Sequence, residues 1–483
     1  MKSPLFKSNI VLNCSANFLK RDVGSCLFFF LVGLTLRGIP ELLVSSYPVG
    51  YETIALYAPP LMTFPGRSVI DVFVEFFRSG PLFYVLMWLA ANVTGAHAFV
   101  ILKVVGPLLY GSLIVSFFVF LKKGLKFEWK MAFVASLLLV FQVAALRDSW
   151  DRFRTVLGLV FLFGGLTVLK SDGKHKCGLL AVFGLLAVLS REYVALVLFV
   201  SVLGYVVWEK KRDWVRPFVA LVPAFVVFAV MVFPSLFVSW AGLVEGEFAS
   251  RSYLWVVQDA FVIFAVCYLA VLPFVLLGLR RDGLVGSMVV WLLVASFSVV
   301  VGPLFSVPGY QRWLMLLVFP FCVYAAWGFE RLGFFSGRRV WMLISVLLVF
   351  VLIGSGYATG VFSYVGQLPN SYVALSLVGS SIRWDEVDDV KAVLSWLDQN
   401  AVVDSSVLVE ECFYGWTLLY LGRAGVDVRV IPYGAASSPF SALDLALRDG
   451  FSWVYLVWFS GRSVTGFRVV YSWNAVSVFE YVS

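Results

Sequence analysis

The chain has 483 residues, of which 61% are hydrophobic and only 14% are charged, whereas soluble domains average about 25% charged residues. This composition excludes a single water-soluble globular domain, because apolar runs of about 14 to 25 residues recur along most of the chain and are typical of membrane spans. The net charge of +8 lies mainly in short clusters beside those runs, which favours a role in topology over nucleic-acid binding. The chain has only two histidines, and its six cysteines form no CxxC pair, which disfavours a histidine-rich metal site or a His-based triad.

Basic clusters predict which ends of the apolar runs face the cytoplasm. Alternation between them predicts a polytopic α-helical membrane protein with about eleven transmembrane helices and a cytoplasmic N-terminus. The predicted spans are 22–39, 97–121, 131–146, 155–169, 177–190, 193–208, 217–240, 255–279, 284–304, 313–329 and 340–359. No small-residue cleavage site follows the first apolar run, so we expect the first span to act as a signal anchor.

One apolar stretch, 81–93, does not fit this alternation. Counting it as a span would place the basic cluster that begins at Lys122 outside the cell. Its length of about 13 residues is also short for crossing a bilayer as a helix. We therefore expect a helix that lies in the outer interface or dips into it.

The predicted outer loops contain no lysine. Their basic residues are Arg37, Arg67, Arg78, Arg147, Arg152, Arg154, Arg191, Arg251 and Arg312, whereas the cytoplasmic clusters mix lysine and arginine. A guanidinium is a planar, permanently charged fork that suits phosphate. The alternative for each residue is an anchor at a helix end in the membrane interface.

The first outer loop, 37–96, is long, and long loops tend to carry function. Glu52 lies in "YPVGYET", where Pro48 and Gly50 permit a turn. Tyr51 and other loop tyrosines can stack on a sugar or a lipid. The alternative is a solvated loop carboxylate among interfacial aromatic residues.

Four further polar elements lie at the same predicted face of the membrane. The densest is "RDSWDRFR", which carries the carboxylates Asp148 and Asp151. The other elements are "SREY" with Arg191, "GYQRW" with Tyr310 and Arg312, and Lys103 in the second span. Ionisable groups at membrane depth are functional candidates, although Lys103 can instead snorkel to the interface.

From about Ser381 the composition changes, and residues 361–483 contain 7 basic and 12 acidic residues. Alternating helical and strand patterns predict a small α/β domain over 381–483, with two final strands joined by a turn at Asn474. Span parity places this domain outside the cytoplasm. We expect the transmembrane domain to cover 1–360, with its catalytic loop at 37–96.

Together these elements indicate transfer of a group from a lipid phosphate at the outer leaflet. A carboxylate can act as the general base toward a hydroxyl, and arginines can bind a phosphate and stabilise charge as it leaves. The candidate phosphate-binding residues are Arg147, Arg152, Arg154, Arg191, Arg312, Lys103, Tyr51 and Tyr310. No cofactor is indicated, but a divalent metal at Glu52, Asp148 and Asp151 stays open as an alternative.

The order of these elements resembles the GT-C superfamily of integral-membrane glycosyltransferases, in particular archaeal and bacterial members of the mannosyltransferase and oligosaccharyltransferase type. The likeness rests on a first span, a long external loop with an acidic residue, and the membrane-edge stretch "GPLFYVLMW". It implies a sugar donor linked to polyprenyl phosphate at the cell membrane and an external soluble domain.

By this resemblance Glu52 matches the first-loop catalytic acid, which is usually aspartate, and Asp151 matches the acidic residue of the second loop. The His-Pro pair that commonly precedes the Pro-Leu-aromatic stretch is replaced by Ser79 and Gly80. No sequon-binding signature is visible, which favours a single-sugar transferase over a protein N-glycosylation enzyme.

Two other functions stay open. A flippase or transporter of lipid-linked saccharides would need polar residues through the middle of several spans, and here only Lys103 fits. A non-catalytic membrane scaffold would use its α/β domain to bind a surface partner, and Glu52 and Asp151 would be dispensable. The sequence identifies neither the sugar, the acceptor nor any protein partner.

Overall fold

Apolar runs fold into helices in this chain because a backbone in hydrocarbon must satisfy its hydrogen bonds within one segment. The computed structural model describes residues 5–43, 47–50, 52–171, 173–209, 215–242, 253–279, 310–359, 386–421, 425–431, 439–461 and 463–482. Its α-helices up to residue 359 are α1 Leu5–Leu43, α2 Ala58–Thr63, α3 Val69–Glu75, α4 Pro81–Thr94, α5 Ala98–Val119, α6 Trp129–Phe141, α7 Val143–Asp151, α8 Phe153–Leu169, α9 Lys176–Ser190, α10 Glu192–Glu209, α11 Val215–Gly242, α12 Tyr253–Tyr268, α13 Leu272–Leu279, α14 Tyr310–Leu316, α15 Val318–Arg331 and α16 Val340–Ala358.

These helices overlap ten of the eleven predicted spans, and the eleventh, 284–304, lies outside the described residues. Within the described ranges, five helices are long and apolar enough to cross a membrane, or seven if each of two bent helix pairs is one span. The structure therefore confirms a mostly helical protein with several candidate membrane spans. The count of eleven stays a prediction.

Both bent pairs lie where the sequence predicts one continuous span. The chain turns by 56° between α6 and α7, where Gln142 is extended, and by 85° between α12 and α13. Nothing in the apolar pattern of either segment marks the break. The first bend matters for function because it makes α7, which carries "RDSWD", a separate element.

The described chain divides into two compact units. The first consists of Met1–Pro40, Ser68–Leu86 and Val104–Phe362, and the second consists of Glu41–Arg67, Met87–Lys103 and Ser363–Ser483. The second unit thus combines the C-terminal α/β segment with two pieces of the loop that follows the first span.

In the first unit, helices approach closely where glycine removes the side chain. α13 packs on α15 through Gly278 and Gly328, and a Cβ atom at either glycine would collide with a backbone carbonyl of the other helix. α8 packs on α9, which in turn packs on α11. Small residues at helix contacts are typical of membrane proteins, where close backbone approach replaces the hydrophobic driving force.

In the α/β part of the second unit, the described residues form three helices and five strands. They are α17 Val387–Asn400, β1 Ser405–Glu410, α18 Glu411–Tyr420, β2 Val426–Ile431, α19 Pro439–Arg448, β3 Val454–Phe459, β4 Phe467–Trp473 and β5 Val476–Tyr481. The strand order is β2-β1-β3-β5-β4, with β1 parallel to β2 and β3, and β5 antiparallel to β3 and β4. Helices and strands alternate as the sequence predicts, and the two final strands are joined by the predicted turn at Asn474, which has a φ of 44°.

Strand β1 is buried at all six positions, as expected for a parallel strand that is covered on both faces. Leu408 of β1, Leu456 of β3 and Phe479 of β5 form a core with Leu443 and Ala446 of α19. α18 packs on β1 and on α17. The sheet is therefore a rigid support for the helices that contact it.

Candidate functional site

Buried charge marks the candidate site in the first unit. In the part of this unit that the structure describes, the buried charged side chains are Arg37, Asp148, Arg152, Arg154 and Arg191. Burying a charge is costly unless it is paired or binds a ligand, so charged residues within membrane proteins are rare and usually functional. Four cations and one carboxylate give this set a net positive charge, which suits an anion.

The "RDSWDRFR" segment forms α7 and the start of α8. The helix breaks at Arg152, which has φ −114° and ψ 53°, and restarts at Phe153. Arg152 Nη1 donates to Asp148 Oδ1 over 2.8 Å, one helical turn back, and only 1% of the Asp148 surface is exposed. The break therefore directs the Arg152 side chain toward a buried carboxylate.

Arg37 joins this segment from the end of α1. Its side chain is fully buried, and its Nε donates to the Ser149 carbonyl oxygen over 3.1 Å. Space for the guanidinium is provided by Gly106 of α5, where a Cβ atom would lie 2.9 Å from Arg37 Nη2. Three helices, α1, α5 and α7, thus enclose one cation.

Arg154 of α8 reaches the segment before α4. Its Nη1 donates to the Ser79 carbonyl oxygen, and its guanidinium lies 5.7 Å from the ring centre of Tyr84. Gly80 has a φ of +81°, and a Cβ atom there would collide with the Ser190 carbonyl oxygen at the end of α9. Proline, with φ near −65°, cannot take this position.

Arg191 occupies the turn between α9 and α10, where its backbone is extended. Its guanidinium lies 5.2 Å from the ring centre of Tyr193, and its Nε lies 3.6 Å from Glu192 Oε1. Tyr193 also shares a hydrogen bond with Thr155 of α8, and its ring centre lies 5.7 Å from that of Trp313. The turn between α9 and α10 is therefore tight, and it presents an arginine on an aromatic face.

Tyr193 shows that several predicted residues converge. The charged side chains within electrostatic range of its hydroxyl are Arg152, Arg191, Arg312 and Asp148. They belong to α7, to the turns that flank α8 and α10, and to α14. Arg147 is half-buried on α7. The side chains of Asp151 and Tyr310 lie outside the described set, as does Tyr51, so their positions stay predictions.

In the second unit, Glu52 immediately precedes a five-residue π-helix, Thr53–Tyr57. π-Helical turns are rare and often occur at functional sites. The turn predicted from Pro48 and Gly50 is present: Gly50 has a φ of 113°, and its carbonyl oxygen accepts from Ile54 N over 3.3 Å. The Glu52 side chain is half-buried, while Thr53 and Tyr57 beside it are buried.

The same unit contains a second carboxylate, Glu41, that is more deeply buried. Only 3% of its surface is exposed, and its Oε2 accepts from the Val49 amide over 3.0 Å. Lys103, half-buried on α5, lies within electrostatic range of it. Glu41 therefore fixes the start of the Glu52 loop and is a structural candidate that the sequence does not single out.

Sequence reasoning thus named Arg37 among the outer-loop arginines without selecting it for the site, and it missed Glu41 and Tyr193. The sequence does carry a signal for Arg37 and Glu41, because an arginine and a glutamate four residues apart at the end of an apolar run are costly to place within a membrane. Tyr193 has no such signal, since an aromatic residue at a span end is ordinary.

The side chains that the structure describes include no group of three or more His, Cys, Asp or Glu residues that could hold a metal ion. Among the carboxylates proposed for a metal, Asp148 pairs with Arg152 through its Oδ1 atom. Because the Asp151 side chain is not described, the metal alternative stays a prediction.

The whole fold is similar to solved membrane glycosyltransferases. One is the arabinofuranosyltransferase AftD from Mycobacteria, with a TM-score of 0.53 and 15% identity over 95% of this chain and 40% of that chain. A point-mutant AftD structure gives a TM-score of 0.52 and 15% identity over 94% and 41% of the two chains. ArnT from Cupriavidus metallidurans, bound to undecaprenyl phosphate, gives a TM-score of 0.49 and 12% identity over 97% and 98%.

These likenesses concern the fold. The chain spans less than half the length of AftD. No protein-family model matches the chain, and no curated protein matches its sequence. The fold is nevertheless similar to that of a membrane glycosyltransferase, which confirms at the level of fold the resemblance that the sequence indicates.

Proposed function

We propose that this protein is a membrane glycosyltransferase that moves a sugar from a polyprenyl-phosphate-linked donor to an acceptor hydroxyl. The observation that carries the proposal is the buried, net positive set of arginines in the first unit. Buried guanidinium groups gathered in one region suit an anionic group such as phosphate. The GT-C fold supports the proposal, because its mycobacterial example is an arabinofuranosyltransferase.

The arginines act on the phosphate. Arg152 and Arg191 are held by Asp148 and Glu192, so their forks are oriented before the donor binds. Guanidinium groups bind phosphate oxygens through paired, charge-assisted hydrogen bonds. They also stabilise the negative charge that grows on the leaving phosphate, and this stabilisation accelerates the chemical step.

Glu52 acts as the general base. It takes the proton of the acceptor hydroxyl while the acceptor oxygen bonds to the anomeric carbon of the sugar. The bond between that carbon and the phosphate oxygen breaks, and polyprenyl phosphate leaves with the electron pair. Asp151 is the alternative base. It is the carboxylate of the second predicted outer loop that matches the acidic residue of the resembling family.

The test is consumption of donor by purified protein in sealed proteoliposomes. A panel of polyprenyl-phosphate-linked sugars is offered with a mixture of hydroxyl acceptors, and release of polyprenyl phosphate is followed. We expect one donor to be consumed, and Arg191→Ala to slow the reaction. Export of intact lipid-linked saccharide without release of phosphate would instead support a flippase, and no turnover or transport would support a scaffold.

We infer that this chemistry takes place outside the cytoplasm. The basic clusters place Lys174 inside and the α/β segment outside. Lys174 and Val403 are both exposed, so a cysteine at either position should react readily with a soluble reagent. In intact cells lacking other reactive cysteines, an impermeant maleimide should label Val403→Cys and not Lys174→Cys. Labelling of Lys174→Cys from outside would reverse the topology.

A further inference from the structure

Two helices of the α/β segment, α17 and α18, contact the loop that carries Glu52. Within the second unit, α18 packs against the π-helix Thr53–Tyr57 and against α2. The contact is closest at Gly415, where a Cβ atom would lie 2.7 Å from Ala55 Cα and 2.8 Å from Ala55 N. Non-bonded carbon atoms prefer separations of about 3.5–4.0 Å, so only glycine fits at position 415 without a shift of backbone.

A second contact holds the loop upstream of Glu52. Lys391 of α17 donates a hydrogen bond to the Tyr47 hydroxyl, and its ammonium lies 5.0 Å from the Tyr47 ring centre and 5.5 Å from that of Tyr420. Asp388 completes the group, with its Oδ1 3.8 Å from Lys391 Nζ. The hydrogen bond to Tyr47 raises the pKa of Lys391, so the ammonium stays charged at physiological pH.

Tyr47 is also held by its ring. Its centre lies 5.0 Å from Trp416 of α18 in an edge-to-face arrangement and 5.9 Å from Phe99. The loop is therefore fixed on both sides of Glu52, at Tyr47 through Lys391 and Trp416, and at Ala55 through Gly415. Between these points lie only seven residues, one of which is the glycine of the turn at position 50.

We propose that α17 and α18 set the position of Glu52, and that Gly415 and Lys391 are positioning residues for the transfer reaction. The inference rests on the proposed function for its catalytic consequence, because a general base acts only within hydrogen-bond reach of its proton. The α/β segment thereby serves the chemistry without supplying a reacting group. Displacement of the base by about 1 Å can cost about 10²-fold in rate.

The docking itself can be measured without any substrate. Thr53 is fully buried beside Glu52 and is close in size to cysteine, so Thr53→Cys reports whether the loop stays docked. In a cysteine-free background we expect slow maleimide labelling, and faster labelling after Gly415→Ala or Lys391→Met. The matched controls are Gly178→Ala, where a Cβ atom on α9 meets nothing within 4 Å, and Arg448→Gln on the exposed face of α19.

The catalytic consequence is read from steady-state kinetics of the full-length protein. Gly415→Ala should lower kcat by roughly 10²-fold with little change in donor affinity, and Lys391→Met should act in the same direction more weakly. Lys391→Arg, which can keep the cation over both rings, should restore most of the rate.

These outcomes distinguish failure of the proposed glycosyltransferase function from failure of the positioning role of Gly415 and Lys391. If the wild type turns over no donor, the proposed function fails, while the labelling of Thr53→Cys still decides the docking. If the wild type is active and both Gly415→Ala and Lys391→Met keep normal kcat and slow labelling, the positioning role is wrong. Equal losses of kcat in the Gly178→Ala control would also overturn it.

Discussion

Two ion pairs of the same type lie in the two units and differ in burial. Asp148 and Arg152 are one helical turn apart with an N···O distance of 2.8 Å, and their side chains are only 2% and 10% exposed. Asp444 and Arg448 have the same spacing and a distance of 2.6 Å, but they are 59% and 72% exposed. The distances do not distinguish the pairs, so any difference in energy arises from the surroundings.

The surroundings assign different roles to charge in the two units. Exposed pairs contribute about 0–1 kcal/mol, whereas loss of one partner from a buried pair costs about 3–5 kcal/mol. A buried pair is often no more stable than apolar residues of the same size. The Asp148–Arg152 pair is therefore better explained by function than by stability, and the exposed pairs by solvation of the α/β surface.

Glu52 tests whether burial determines the role of a charged residue, because its side chain is neither fully buried nor fully exposed. The largest effect on activity is expected here. If it is the general base, Glu52→Gln keeps its size and removes the base, so kcat should fall by about 10²–10⁴-fold. Donor binding, measured in nanodiscs with the reaction blocked by omission of acceptor, should persist. Glu52→Asp should keep part of the activity.

Two other carboxylates serve as controls for that experiment. Asp151→Asn tests whether the second loop supplies the base, and Glu41→Gln tests the more deeply buried carboxylate. A near-normal rate for Glu52→Gln together with an inactive Asp151→Asn would transfer the catalytic role to the second loop. Glu41→Gln should lower stability, because a neutral amide oxygen accepts from the Val49 amide less strongly than a carboxylate does.

The buried pair itself should have the largest effect on stability. Asp148→Asn leaves Arg152 in a buried position without the charge of its partner, and the free energy of unfolding should fall by about 3–5 kcal/mol. The measurement is denaturant unfolding in detergent micelles. The double variant Asp148→Asn with Arg152→Met should recover much of that stability but not the transfer activity. Recovery of both would show that the pair is only structural.

Removal of single arginines should weaken donor binding to a smaller degree. Arg152→Ala, Arg191→Ala and Arg312→Ala each remove a charged hydrogen-bond donor worth about 1.5–3 kcal/mol, which is roughly 10–150-fold in affinity. Binding of a polyprenyl-phosphate-linked sugar, measured by calorimetry, checks this. Unchanged affinity in all three variants would favour interfacial anchoring over phosphate binding.

The sequence predicts more structural detail for the α/β segment than for the helices of the first unit. The alternation of helices and strands in the α/β segment and the turn at Asn474 are predicted correctly, because alternating apolar residues and turn residues report local geometry. Apolar runs place helices equally well but do not show which face packs or where a helix bends. The break at Gln142 is therefore invisible in the sequence, although it makes α7 a separate element.

The sequence predicts a candidate site residue only when the residue type itself is unusual at that position. Arg152 and Arg191 stand out because charge beside apolar runs is costly. The burial of Arg37 depends on the missing side chain of Gly106 on another helix, and the importance of Gly415 depends on its contact with Ala55. Both are contacts between residues far apart in sequence, which a single sequence does not encode in a readable pattern.

The smallest effect on stability is expected for the exposed ion pair between Asp444 and Arg448. Arg448→Gln removes the exposed partner of Asp444, and side chains this exposed exchange their ion pair for water at little cost. The free energy of unfolding should change by about 0.5 kcal/mol or less, and less again at high salt, because exposed pairs are screened. Denaturant unfolding under the conditions used for Asp148→Asn measures this directly. A loss approaching that of Asp148→Asn would mean that spacing and distance, and not burial, determine the value of these pairs, and the argument that buried charge marks the site would fail with it.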